Sequence, residues 1–256
     1  MGERAIAVIQ VRLGSTRLPG KALADLAGRP LLAHVVERAL AIPGIDGVVL
    51  ATTVSRTDDP LRAFAHHHGI PHVRGSEEDV LDRFLLAARE TKAEAIVRVT
   101  ADCPLLDPAV SGRVLEAYMR RRPGVDYVSN VHPPTFPDGL DTEVVSVEAL
   151  GVATREARLA SDREHVTPYV WSRPERFRTA NVAHAEDLSG HRWTVDTAAD
   201  LEFVRAVLGA LGPAARLAGM ADVLKVLAER PALRNINQGL QRNEGYERSV
   251  AAERQA

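Results

Sequence analysis

A chain of 256 residues, 45% of them hydrophobic, is long enough to enclose a substantial core as one large domain. Its charge nearly balances, 32 Lys and Arg against 34 Asp and Glu, which excludes a polycation built to coat nucleic acid. The single cysteine, Cys103, excludes an internal disulfide and a cysteine-based zinc site. No apolar run is long enough for a membrane span or a signal segment, so the expectation is a cytoplasmic protein that binds neither nucleic acid nor membrane.

In chain order, an apolar strand over Ala5–Val11 leads into a glycine-containing loop, and a helix follows from about Pro30 to Ile42, where Leu31, Leu32, Val35, Val36, Ala39 and Leu40 make one apolar stripe. Gly47–Thr53 reads as a strand, Asp59–His68 as a helix and His72–Arg74 as a short strand. Ser76-Glu77-Glu78-Asp79 resembles a capping box that opens a helix running to about Thr91. Ala95–Thr100 is a buried strand, and Pro108–Arg121 a helix with proline in its first turn. This alternation predicts an α/β fold, a mostly parallel sheet with helices on both faces.

After Gly124 the rhythm changes. Tyr127–Glu148 is rich in Pro, Asp and Gly, with a β-like piece at Thr142–Val147, and reads as an antiparallel excursion from the main sheet. Val144, Val145, Val147 and Leu150 would then be exposed unless covered, which predicts a homodimer using Tyr127–Trp171. Strands are expected at Arg176–Val182 and Arg192–Val195. Helices are expected at Thr197–Leu211, opened by Thr197-Ala198-Ala199-Asp200, and at Met220–Glu229. From Pro231 a polar tail including Gln241 and Asn243 is expected to be irregular and mobile, able to order over a ligand or partner. The division is a single domain: a nucleotide-binding half (1–126), the excursion (127–175), a return to the core (176–230) and the tail (231–256).

The loop Arg12-Leu13-Gly14-Ser15-Thr16-Arg17-Leu18-Pro19-Gly20-Lys21 carries two glycines and three cations at a strand's carboxyl end. Glycine frees backbone N–H groups to close on an anion, and Arg12, Arg17 and Lys21 supply opposing charge, so a polyphosphate is the expected ligand. Ser15 and the backbone of Leu13 and Gly14 are candidate donors. The loop is not a Walker A, because five residues separate the glycines and Ala22 follows the lysine. Asp102 follows a buried strand, and Asp196 holds an equivalent position, so the two suit a divalent ion bridging phosphate oxygens; capping of the next helix is the other reading of Asp196. His66-His67-His68 point in different directions on a helix and read as surface, and Cys103 reads as packing.

Four segments together resemble the CMP-sugar-acid synthetases, cytidylyltransferases acting on sialic, legionaminic and KDO-type sugar acids, with the spore-coat SpsF type most alike. They are the first loop, Thr100-Ala101-Asp102-Cys103-Pro104-Leu105, Arg163-Glu164-His165-Val166-Thr167-Pro168-Tyr169 and Trp193-Thr194-Val195-Asp196-Thr197-Ala198-Ala199-Asp200-Leu201; the tail Asn243-Glu244-Gly245-Tyr246 adds to them.

The resemblance implies a three-layer α/β/α nucleotidyltransferase (GT-A-like) fold. It implies transfer of CMP from CTP to a sugar acid for surface glycan synthesis, with Mg²⁺ held by Asp102 and Asp196. The base is expected against Thr52, Thr53, Arg74, Ser76 and Asp79, with Thr100 and Ala101 also touching the nucleotide. The acceptor is expected against Asp138, Gly139, Asp141, Arg163, Glu164 and His165, with Arg163 or Arg192 for its carboxylate. The excursion is implied to dimerise and to close over the sugar. The alternatives are another acceptor (a sugar 1-phosphate or phosphonate), a glycosyltransferase of similar fold, and a non-catalytic nucleotide-binding partner.

Overall fold

Side-chain alternation in the first strand sets the layers. Along β1 (Ala5–Gln10), Ala5, Ala7 and Ile9 face one helical layer while Ile6 and Val8 face the other, and all five are buried. The structure, a computed structural model, describes residues 3–239, 242 and 244–254; Gln241 and Asn243 of the tail lie outside the described residues.

A two-stranded antiparallel ribbon, β2 (Asp25–Leu26) and β3 (Arg29–Pro30), precedes α1 (Leu31–Leu40). Then come β4 (Gly47–Thr53), α2 (Asp59–His67), β5 (His72–Gly75), α3 (Val80–Thr91), β6 (Ala95–Thr100) and α4 (Pro108–Arg121). The second half contributes β7 (Tyr127–Ser129), β8 (Glu143–Ser146), α5 (Val147–Glu156), α6 (Ala160–His165), α7 (Pro168–Trp171) and β9 (Thr179–Asn181). It ends with α8 (Ala198–Leu211), α9 (Met220–Glu229) and α10 (Glu244–Glu253).

The seven-stranded sheet runs β5-β4-β1-β6-β8-β7-β9. Only β8 is reversed, antiparallel to β6 and β7 on either side. Helices α1, α2, α4, α8 and α9 pack one face, and α3, α5 and α7 the other. No helix among the described residues is long and apolar enough to cross a membrane.

The antiparallel segment expected to leave the sheet is instead inserted into it. Val97 registers against Val144 and Ile96 against Val145, so Val144, Val145 and Leu150 are fully buried in the chain's own core. These side chains do not require a second copy to cover them, and the physical reason given for a homodimer at this segment falls away.

Three further expectations change. Helix α3 starts at Val80, with Asp79 rather than Ser76 as its cap, the Asp82 N–H donating to Asp79 at 2.9 Å. Arg192–Val195 is not a strand; its extended backbone is tied to the loop before β8, with Trp193 N–H donating to the Asp138 carbonyl at 2.7 Å and Asp138 N–H to the His191 carbonyl at 2.9 Å. The tail is not irregular throughout, because α10 docks on α6, its Tyr246 ring centred 5.2 Å from His165 and 5.8 Å from Trp171.

Candidate active site

The carboxyl ends of β1 and β6, the turn before α8 and the start of α10 converge on one point. There the Lys21 ammonium donates to Asp102 Oδ2 at 2.9 Å, Asp196 Oδ1 at 2.8 Å and the Val195 carbonyl at 2.8 Å. Lys21 arrives because Gly20 turns the loop through a left-handed φ of 72°. Asp196 is free for this contact because Thr197, boxed with Asp200, caps α8 in its place. The second oxygen of Asp196 meets Arg17 at 3.0 Å and Arg192 at 2.9 Å. Burial opposes the charge of Asp102, but Lys21 and the Thr100 hydroxyl outweigh it and hold the carboxyl down at about 2. Burial likewise opposes the Lys21 ammonium, and the two aspartates outweigh it, raising its pKa above the usual value.

Two clefts meet here. One, about 570 Å³, is lined by Arg12, Arg17, Lys21, Arg83, Thr100, Ala101, Asp102 and Glu164. The other, about 250 Å³, is lined by Asp138, Asp141, Glu143, His165, Trp171, Arg192, Thr194, Asp196 and Tyr246. Arg17, Thr100, Asp102, His165 and Gly245 belong to both. The larger is rich in cations, as a triphosphate needs. Asp102 and Asp196 offer hard oxygens aimed at the same point, a donor set suited to Mg²⁺, which takes one or two protein carboxylates and keeps phosphate and water as other ligands. No group of three or more His, Cys, Asp or Glu side chains among the described residues is placed to hold a metal.

Several expected contacts are committed elsewhere. The Leu13 N–H donates to Asp58 at 2.7 Å, which pins the loop to the segment after β4, with Gly14 beside Glu77; the Ser15 hydroxyl accepts from Leu18 N–H at 3.3 Å and lines the larger cleft. Arg12 pairs with Glu77 at 3.0 Å at the cleft wall. Arg74 is spent on the Thr53 and Ser55 carbonyls and on Asp59, at 2.7, 2.8 and 2.9 Å. Thr52 is buried, the Thr53 hydroxyl donates to Asp58, and the Ser76 hydroxyl accepts from Asp79 N–H; none of these lines either cleft.

On the acceptor side, Arg163 braces the cap of α3 through Asp79 and binds the Thr154 and Ala157 carbonyls, away from the smaller cleft. Gly139 serves close packing: at φ 106° a Cβ there would lie 2.8 Å from the Trp193 carbonyl carbon. Asp141 pairs with Arg242. His165 hydrogen-bonds Ser249 of α10, and burial, then Arg98, lower its pKa, leaving the ring neutral near pH 7. Burial and Asp102 raise the Cys103 pKa, so it stays an inert thiol, and His66, His67 and His68 are exposed.

The sequence reading missed Glu143, Arg83 and Arg242. Glu143 lies in the smaller cleft with Arg98, accepting from the Tyr127 and Thr167 hydroxyls at 2.6 Å each. Arg83 had a legible signal, since it sits three residues after Val80 and four before Ala87, on the buried face of α3.

Asp138 makes one prediction. Burial and then Asp141 push its carboxyl up to about 7, against Arg242 and Arg192. A folded pKa above the unfolded value means the native state binds more protons between about 4 and 7, so this group's contribution to stability declines as pH rises through that window. Asp138→Asn is expected to flatten the decline. Urea midpoints at pH 5 and pH 8 check it: a drop between the two that is equal in variant and wild type would contradict the shift.

The cytidylyltransferase family model matches residues 6–210. The spore coat polysaccharide biosynthesis protein SpsF of Bacillus subtilis (strain 168) is 35% identical over 207 residues, covering 78% of this chain and 84% of that protein. A 3-deoxy-manno-octulosonate cytidylyltransferase of Escherichia coli is 30% identical over 166 residues, 65% of each chain. A solved cytidylyltransferase from Leptospira borgpetersenii serovar Hardjo-bovis (strain JB197) aligns with a TM-score of 0.87 and 29% identity over 94% of this chain and all of that one. The fold, the matched span and these relatives agree: the chain belongs to the cytidylyltransferase family of nucleotidyltransferases.

Proposed function

We propose that this enzyme transfers CMP from CTP to a hydroxyl of a sugar acceptor and releases pyrophosphate, in the synthesis of a surface glycan. The observation that carries the reading is the Asp102–Lys21–Asp196 cluster at the junction of a cation-rich cleft and a smaller polar one. In-line displacement at the α-phosphate needs a charged clamp on the phosphates and the acceptor hydroxyl delivered from the opposite side. Arg12, Arg17 and Lys21 would bind the triphosphate and stabilise the departing pyrophosphate. Asp102 and Asp196 would hold Mg²⁺, which when bound supplies Lewis-acid charge to the phosphate oxygens. Lys21, released from both aspartates, would turn to the phosphates, and Asp138, whose carboxyl burial pushes up to about 7, would take the hydroxyl proton.

The acceptor has two readings. The 3-deoxy-manno-octulosonate enzymes among the relatives make a sugar acid the first to test. The lining of the smaller cleft favours a second, an acceptor bearing an amine or no charge. Arg17, Arg98 and Arg192 there each already hold a carboxylate, and Lys21 and Arg242 hold Asp102, Asp196 and Asp141, so every cation near the cleft is engaged before a sugar carboxylate arrives. The same engagement of the cations disfavours a sugar phosphate or phosphonate.

Pyrophosphate release with each of the four nucleoside triphosphates, Mg²⁺ and a panel of sugar acids, amino sugars and neutral sugars tests the proposal. CTP is expected to be preferred, and no release with CTP and any acceptor would contradict it.

Helix α10 gives a further prediction, because Glu244, Gly245 and Tyr246 wall the acceptor cleft. A chain ending at Gly239 is expected to show an acceptor KM raised about tenfold or more, the effect of losing one good contact. CTP binding should change less, since only Gly245 and Arg248 of α10 reach the larger cleft. Unchanged acceptor kinetics would show that the helix takes no part in the site.

A further inference from the structure

We propose that Arg83 reads the base of the nucleotide, its guanidinium donating to the O2 and N3 acceptors of cytosine; the inference rests on the CTP reading above. Arg83 is 2% exposed and lines the larger cleft, and its Nε and Nη1, both closed off from solvent, have no hydrogen-bond partner, so a base that takes them must part the cleft wall as it enters. Each charged neighbour is already engaged or repels it. Asp58 accepts from Leu13 N–H and the Thr53 hydroxyl, Asp79 from Arg163 and Asp82 N–H, and Glu77 from Arg12, while Arg12 is itself a cation.

A buried guanidinium with open donors is costly to keep, and the structure keeps it by design of its surroundings. A Cβ at position 75 would come within 2.8 Å of the Arg83 Cγ, so glycine there leaves room for the arginine stem. An acceptor-bearing ligand in the cleft completes this arrangement.

The base fits better than the phosphates. Arg12, Arg17 and Lys21 reach the cleft from the loop after β1, whereas Arg83 reaches it from α3, beside the end of β5. Arginine offers donors only. Cytosine presents two adjacent acceptors, but uracil places an N3–H donor against the fork, which leaves buried donors facing each other.

The test uses Arg83→Met and Arg83→Lys, with nucleotide binding followed by calorimetry, kinetics compared for CTP and UTP, and melting measured without nucleotide. Both variants are expected to bind CTP about 10- to 100-fold more weakly, the loss of hydrogen bonds to a charged donor. The preference for CTP over UTP should shrink with it. Arg83→Met should melt no lower than wild type, because it removes an unpaired buried charge, whereas an arginine kept for structure would lower the melting point on removal. Unchanged CTP affinity and unchanged CTP/UTP preference in both variants, with a wild type that binds CTP, would overturn the role of Arg83 alone. A wild type that binds no CTP would overturn the cytidylyl reading and this inference with it.

Discussion

Asp102→Ala is expected to lower turnover by about 10³-fold or more while the protein still folds. The expectation follows from charge. A triphosphate brings roughly four negative charges into a cleft whose cations are partly matched by Glu77, Glu78 and Glu164, so neutralisation depends on the ion that Asp102 and Asp196 would hold. With one carboxylate gone, Lys21 keeps Asp196 and the Val195 carbonyl as partners, and the loop stays anchored. The stability cost at neutral pH is about 2 kcal/mol, from the depression of the Asp102 carboxyl to about 2. Because that pKa is depressed, the contribution is present above about pH 4 and lost as pH falls toward 2. Steady-state rates at saturating Mg²⁺ with a melting curve check both parts; a wild-type rate would remove Asp102 from the chemistry.

Val145→Arg is expected to prevent folding. Val145 is fully buried in β8, registered against Ile96 on one side and Tyr127 on the other, and packed with Leu150 and Val166 in the core between the sheet and α5. An unpaired charge placed there costs more than about 4 kcal/mol, a large part of the roughly 5–15 kcal/mol that holds a domain together. Soluble yield and circular dichroism read the outcome. A folded variant with half the wild-type mass in light scattering would contradict the burial and restore an interface at this segment.

These two variants also mark what the sequence made legible. Strands β1, β4, β5 and β6 and their helices could be read because apolar runs and helical stripes are local signals, whereas the two-residue strands β2 and β3 gave no such signal. The place of β8 between β6 and β7 could not, because strand order depends on pairings across the chain that Pro133, Pro134 and Pro137 obscure. Asp102 was legible because it follows a buried strand, and Lys21 because it closes the glycine loop after β1; Asp196 was singled out on the expectation of a strand at Arg192–Val195 that the structure does not have. The commitments of Arg74 to Asp59 and of Arg163 to Asp79 were not, since ion-pair partners belong to the tertiary structure. Helix α10 was hidden by its polar composition; what docks it is Tyr246 against His165 and Trp171, a contact across about 80 residues of sequence.

Phosphorus NMR of the enzyme with CTP, Mg²⁺ and the acceptor panel tests the central claim most directly, because it follows the α-phosphorus itself. The account predicts that the three CTP resonances give way to one phosphodiester resonance of a CMP-linked sugar and one of free pyrophosphate with twice its area, the two products being equimolar, and only when an accepted sugar is present. Persistence of CTP with every acceptor, or its conversion to CDP and inorganic phosphate, would contradict it.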